Sequence, residues 1–126
     1  VAQKKRDINE STRKILQISF FPEKAVVKEM KKLPERERDR FLLNLKLKAA
    51  NEDLTCDSSP LGSLGHGVYE LCINGSPAWR CIYYTGLAGQ LVVMHVCEKT
   101  TNGQDRQIKN VVGKRLKALG DEPKAA

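Results

Sequence analysis

The spacing of apolar residues changes repeatedly along this chain, and each change marks a new element. Leu16, Ile18 and Phe20 fall on alternate positions within residues 15–21, and the run stops at Pro22. A period of two bounded by proline predicts a β-strand. Over residues 23–33 the apolar positions Val26, Val27, Met30 and Leu33 recur every three or four residues, with Lys and Glu filling most of the rest, which predicts an amphipathic helix. Pro34 interrupts it, and a second helical run over 35–50 places Phe41, Leu42, Leu45 and Ala49 on one stripe, so the two helices form a hairpin. Residues 51–67 are rich in Ser, Gly, Asp and Pro and show no period; they read as a loop, longer than most and therefore a functional candidate. Three strand-like runs follow at 68–73, 78–85 and 91–97. Asn74 and Gly75 suit a tight turn between the first two, and 86–90 links the last two, as in an antiparallel meander. Finally Ile108, Val111, Val112, Leu116 and Leu119 share one helical face, with Gly120 placed as a stop. The predicted fold is α+β, a small antiparallel sheet flanked by helices in the order βααβββα.

Composition adds a size and a partner. A chain of 126 residues that is 40% apolar can bury one core without metals or disulfides. We divide it into a flexible basic N-terminal arm at 1–14, a single domain at 15–120 and a tail at 121–126. Twenty-two Lys and Arg against 15 Asp and Glu give +7, while aromatic residues make up only 6%. That balance favours a polyanion, nucleic acid rather than sugar, and disfavours an aromatic stacking surface. The charge is uneven: residues 1–50 carry 14 basic and 7 acidic groups, 51–90 carry 1 and 4, and 91–126 carry 7 and 4. Both ends are basic and the middle is not, which suggests basic helices flanking an apolar sheet. No apolar stretch approaches the roughly 20 residues of a membrane span, and the N-terminus lacks the apolar core of a secretion signal, so the expected location is cytoplasmic with no membrane partner. Cys56, Cys72, Cys81 and Cys97 are 16, 9 and 16 apart, which matches no paired zinc-ligand spacing; they read as packing thiols. The chain also lacks a phosphate-cradling glycine loop, a paired-histidine metal motif and a serine-nucleophile motif, so no cofactor or metal is expected.

Arg80 is the sharpest candidate, the only Lys or Arg between Lys48 and Lys99, and it lies within a strand. Its planar fork of donors suits phosphate oxygens. Alternation places it with Ala78, Ile82 and Tyr84 on a face distinct from Trp79, Cys81 and Tyr83, one face reading as core and the other as a site. Pairing with Glu70 across the hairpin is the competing role. His95 and Lys99 share a parity with Cys97; an imidazole can move protons and an ammonium can stabilise developing negative charge, although a hydrogen-bonded imidazole and a solvated lysine fit the same pattern. His66, between two glycines, could reach a bound ligand from a loop, and Lys46 and Lys48 are candidate phosphate contacts on the second helix. The Arg36–Arg40 run alternates with Glu35, Glu37 and Asp39 and is nearly neutral.

The series Gly67-Val-Tyr-Glu-Leu71, Trp79-Arg80-Cys-Ile-Tyr-Tyr84, Leu91-Val-Val-Met-His95, Glu98-Lys99-Thr100 and Lys114-Arg115-Leu116, taken in order, resembles the RelE/HigB toxin superfamily, most closely its phage-derived HigB-like branch. The likeness spans roughly residues 15–119 and rests on order and spacing rather than one motif. It implies a RelE-like fold and a metal-independent endoribonuclease that cuts mRNA, usually at the ribosome, as the toxin of a toxin-antitoxin pair with a helix-turn-helix antitoxin as partner. Carried over by position, Arg80 would bind the scissile phosphate, Lys99 would stabilise charge or assist proton transfer, and His95 would be catalytic. The chain departs from the branch at Cys72 and Glu98, where cations are usual, and at Gln104 or Asp105 and Gln107, where Pro and Glu are usual. Those departures leave a second reading open, a non-catalytic phage or prophage protein that binds and modulates a host protein or nucleic acid. A basic regulatory domain acting on DNA is a third.

Overall fold

Strand β5 (Gln90–Lys99) organises the molecule because it is buried on both faces, which is why it reads as an unbroken apolar run instead of an alternating one. The computed structural model describes residues 15–100 and 104–121; the expected arm at 1–14 and most of the tail lie outside them. Around β5 the remaining elements are β1 (Gln17–Phe20), α1 (Glu23–Lys31), α2 (Glu35–Ala49), β2 (Asp57–Pro60), a 3-10 turn at Gly62–Leu64, β3 (Val68–Ile73), β4 (Ala78–Tyr84) and α3 (Gln104–Asp121). They build one five-stranded sheet in the order β1-β5-β4-β3-β2. The expected α+β architecture, meander and flanking helices are all present.

Three details differ from the sequence expectation. The sheet is not wholly antiparallel, since β1 runs parallel to β5, pairing Gln17 with Gln90 through Phe20 with Val93. The supposed loop contains β2, an edge strand exposed at every position and paired only with β3. With no buried side it has no alternation to detect, and its Pro60 sits where an edge strand tolerates one. Gly120 does not end α3, which continues to Asp121.

Both faces of the sheet are covered, so the expectation of one core face and one open face is corrected. Leu71, Cys81, Tyr83, Leu91, Val93 and Val96 pack against Val26, Met30, Phe41 and Leu45 of the α1–α2 hairpin. On the other side Val68, Ile82, Val92 and Met94 receive Ile108 and Val112 of α3. The apolar stripe of α3 needs a partner surface, and each large side chain it buries gains roughly 1.5–3 kcal/mol. Pairing of β4 with β5 steps from Ile82–His95 to Tyr83–Val93, which leaves Met94 as an extra residue in β5. Such a bulge re-aims the neighbouring side chain, here His95. Because β1 accompanies β5 only as far as Val93, the far half of that β5 edge has no strand beside it. Side chains from α1 and α3 close it instead.

Candidate functional site

Arg80 lies beneath the start of α3, not on an open surface. Its residue is 6% exposed. Nε donates to Glu70 Oε2 at 2.6 Å, and Nη1 donates to Gln104 Oε1 and Asp105 Oδ1, each at 3.2 Å. Burial opposes the guanidinium charge, but Glu70 and Asp105 outweigh it and raise the pKa. Gln104 adds a hydrogen bond accepted from the Thr100 N–H at 3.0 Å and one donated to the Glu98 carbonyl. Ser59 Oγ donates to the second Glu70 oxygen at 3.3 Å. The result is a polar knot that ties the N-terminus of α3 to β3, β4 and the end of β5. A phosphate contact at this arginine, as expected from the sequence, is thus pre-empted by two carboxylates; the competing role, pairing with Glu70, is what the fold adopts. Chain departures collect at this place: Cys72 lies opposite Arg80 in the β3–β4 register, and Gln104 and Asp105 bind it.

The unpaired half of β5 holds a second cluster. Glu29, on the second turn of α1, places Oε1 2.9 Å from His95 Nδ1 and accepts the Val96 N–H at 3.0 Å. Arg115 of α3 donates from Nη2 to Glu29 Oε2 at 2.8 Å and from Nη1 to the Met94 carbonyl at 2.8 Å. One carboxylate and one guanidinium therefore satisfy the backbone N–H and C=O that β1 leaves unpaired. A carboxylate accepts only, so the Nδ1 facing it carries the hydrogen, and neutral His95 keeps its lone pair on Nε2. Among the described residues that Nε2 has no hydrogen-bond partner. His95 also lines a cleft of about 390 Å³ between α1 and α3, with Lys32, Trp79, Glu98 and Gln107. An oriented imidazole with a free Nε2 beside a lysine can accept and return a proton next to a bound anion.

Glu29 sets the acid stability of this cluster. Burial alone would raise its pKa, but the hydrogen bonds from His95, Arg115 and the Val96 N–H, with the charge of His95, lower it from 4.5 to about 2. The folded value lies below the unfolded one, so the contribution is complete above pH 4.5 and disappears as pH falls towards 2. With solvent screening we expect it to be on the order of 1–3 kcal/mol. Urea midpoints measured from pH 6 to pH 2 should show Glu29→Gln less stable than the parent at pH 6 and converging with it at the acid end; parallel curves would contradict the coupling.

The other sequence candidates are dispersed. Lys99 ends β5 opposite Ala78, exposed, one residue beyond Glu98 in the cleft wall. Tyr84 and His66 meet at a separate pocket of about 210 Å³ with Leu116 and Leu119. Ile108 and Gly120 mark the two sites on α3, about 18 Å apart at its helical rise. Tyr84 folds over Gly86, where an added Cβ would lie 2.0 Å from its hydroxyl oxygen. Lys46 and Lys48 are on α2, which covers the opposite sheet face, and Lys48 Nζ stands 5.7 Å from the Tyr69 ring centre. The proposed set of seven residues does not form one site. Missed by the sequence reading were Glu29 and Lys32; Gln104 appeared only as a departure from the family pattern, and Arg115 only as part of a motif. Glu29 and Lys32, the residue that caps α1, are three apart, a visible spacing, but which helix edge meets β5 was not.

Cysteine chemistry is disfavoured. Burial raises Cys72 and Cys97 to about 11, Glu70 adding to the effect at Cys72, and burial drives fully enclosed Cys81 higher still. Thiols held protonated at neutral pH are poor nucleophiles. Among the described residues no three His, Cys, Asp or Glu side chains converge as metal ligands would, and no helix is long and apolar enough to cross a membrane.

The family model described as phage derived protein Gp49-like (DUF891) matches residues 28–117, a span holding both the Arg80 knot and the His95 cleft. No curated protein matches the chain.

Proposed function

Since this chain belongs to the phage-derived Gp49-like family, we propose that it is the toxin of a toxin-antitoxin pair, an endoribonuclease that cuts mRNA without a metal ion at the cleft beside β5. The observation that carries this reading is His95, held through Nδ1 by a buried-side carboxylate at 2.9 Å and set into the cleft wall with Lys32. In the reaction the ribose 2′-hydroxyl attacks its own 3′-phosphate. Nε2 of His95 takes the hydroxyl proton, the 2′-O–P bond forms, and Lys32 offsets charge on the phosphorane. The P–O5′ bond then breaks, with a lysine ammonium protonating the leaving oxygen. Glu29 acts as a positioning residue that selects the tautomer. The ribosome would present the message, and a helix-turn-helix antitoxin would neutralise the protein.

The products are a 2′,3′-cyclic phosphate and a 5′-hydroxyl. Protein stripped of metal with EDTA and dialysed, then incubated with mRNA and ribosomes in the magnesium that ribosomes require, should generate fragments with those ends, and expression should arrest growth until the antitoxin is supplied. A second reading keeps the scaffold as a non-catalytic binder of a host protein or nucleic acid, favoured by the engagement of Arg80 with Glu70 and Asp105. Intact RNA under all of these conditions, with growth arrest persisting, would select it.

A further inference from the structure

We propose that the outer face of α3 around Gly113 is a docking track for the phosphodiester backbone of single-stranded RNA; this rests on the ribonuclease reading and names where its substrate lies beyond the cleft. At about 100° per residue, Arg106, Lys109, Asn110, Gly113, Lys114 and Lys117 fall within one arc of about 140°. All six are exposed, and from residue 106 to 117 the arc carries four cations and no acid, the first acid on it being Asp121, one turn beyond Lys117. None of Lys109, Lys114 and Lys117 pairs with a carboxylate among the described residues. Helix α2, where the sequence suggested phosphate contacts, differs in interleaving Glu35, Glu37 and Asp39 with its arginines.

Shape adds to charge. The three lysines border an open groove of about 420 Å³ whose other wall is Ser63 and Leu64 of the 3-10 turn. Gly113 lies at its floor, although an added Cβ there would meet nothing within 4 Å. Packing therefore does not require glycine, and glycine inside a helix costs about 1 kcal/mol relative to alanine. A missing side chain between lysines lets a ligand backbone approach the helix closely. Gln107, about 20° round the helix from the arc's edge at Lys114, lines the His95 cleft, so the track starts beside the reaction site. From Gln107 to Lys117 it runs about 15 Å, long enough for successive phosphates.

Binding of a short fluorescein-labelled single-stranded RNA to the His95→Ala protein, followed by anisotropy across a salt series, tests this without cleavage. Each phosphate contact in a single strand contributes about −0.7 to the slope of log K against log salt, so combined Lys109→Gln, Lys114→Gln and Lys117→Gln should make the slope shallower by about 2. Gly113→Leu, which leaves charge unchanged and favours the helix, should weaken binding several-fold. Circular dichroism melts establish that each variant is folded. Unchanged affinity and slope in the triple variant would overturn the track. So would an equal loss on replacing the three exposed lysines of α1, Lys24, Lys28 and Lys31, because net charge alone would then explain binding. Absence of cleavage by the parent protein bears on the nuclease reading and leaves this measurement intact.

Discussion

Replacing His95 by alanine is expected to slow RNA cleavage by about a hundred- to ten-thousand-fold, the range that a positioned proton-transfer group supplies. The side chain is only 13% exposed, so its removal leaves a small cavity at the strand edge, but Glu29 retains Arg115 and the Val96 N–H and keeps that edge closed. Loss of rate should therefore come without loss of fold. Added imidazole should restore part of the activity of His95→Ala, since a diffusible base can occupy the vacated volume beside the cleft. Glu29→Gln should lower the rate less, because the ring loses its anionic orienting partner but stays in place. Full activity in His95→Ala would remove the histidine from the chemistry altogether. Failure of imidazole to rescue, joined with a lowered melting temperature, would make the ring a structural group.

Arg80→Ala is expected to destabilise the protein by about 3–5 kcal/mol, as when one partner of a buried ion pair is removed. That is a large share of the roughly 5–15 kcal/mol that holds a domain together. The truncation leaves Glu70 buried with Ser59 and Cys72, frees Asp105 and leaves Gln104 held only by the end of β5 and Thr100, so the start of α3 should detach first. Replacing both partners, Arg80→Met with Glu70→Leu, should recover most of the stability, because no uncompensated charge remains. Chemical denaturation of the two proteins separates the possibilities that activity alone confuses. If Arg80→Ala unfolds at the parent's midpoint yet loses cleavage, the guanidinium contacts RNA and the knot described above is not its role. If the double variant regains both stability and activity, the arginine acts only by holding α3.

These two outcomes bear on how much of the site could be read from residues alone. His95 stood out because few groups titrate near neutral pH, and its parity with Cys97 and Lys99 follows from a period of two. Arg80 stood out because it is a lone cation among apolar neighbours. That same isolation has two explanations, a ligand contact or a buried partner, and alternation cannot choose between them. Glu70 was a named alternative, and the β3–β4 register, which sets Glu70 opposite Ile82 and Cys72 opposite Arg80, supplied the diagonal contact. Gln104 and Asp105 were noticed only as departures from a pattern, yet they decide the arginine's surroundings. Lys46 and Lys48 illustrate the reverse case: basic residues were visible, but neither lines the cleft, and Lys48 stands over Tyr69 instead.

Local periodicity by itself determined the α1–α2 hairpin, the strands β1, β3, β4 and β5, the helix α3 and the apolar stripes of the helices, because each of these depends on residues within a few positions of one another. Only the tertiary structure decided that β1 runs parallel to β5, that Asp57–Pro60 forms an edge strand, and that Glu29 meets His95 from 66 residues away and Arg115 from 86. Such pairings depend on how whole elements pack, and a carboxylate on a helix edge has the same local sequence whether it faces water or an unpaired strand. The bulge at Met94 and the early end of β1 together expose that strand, and the cleft follows from them.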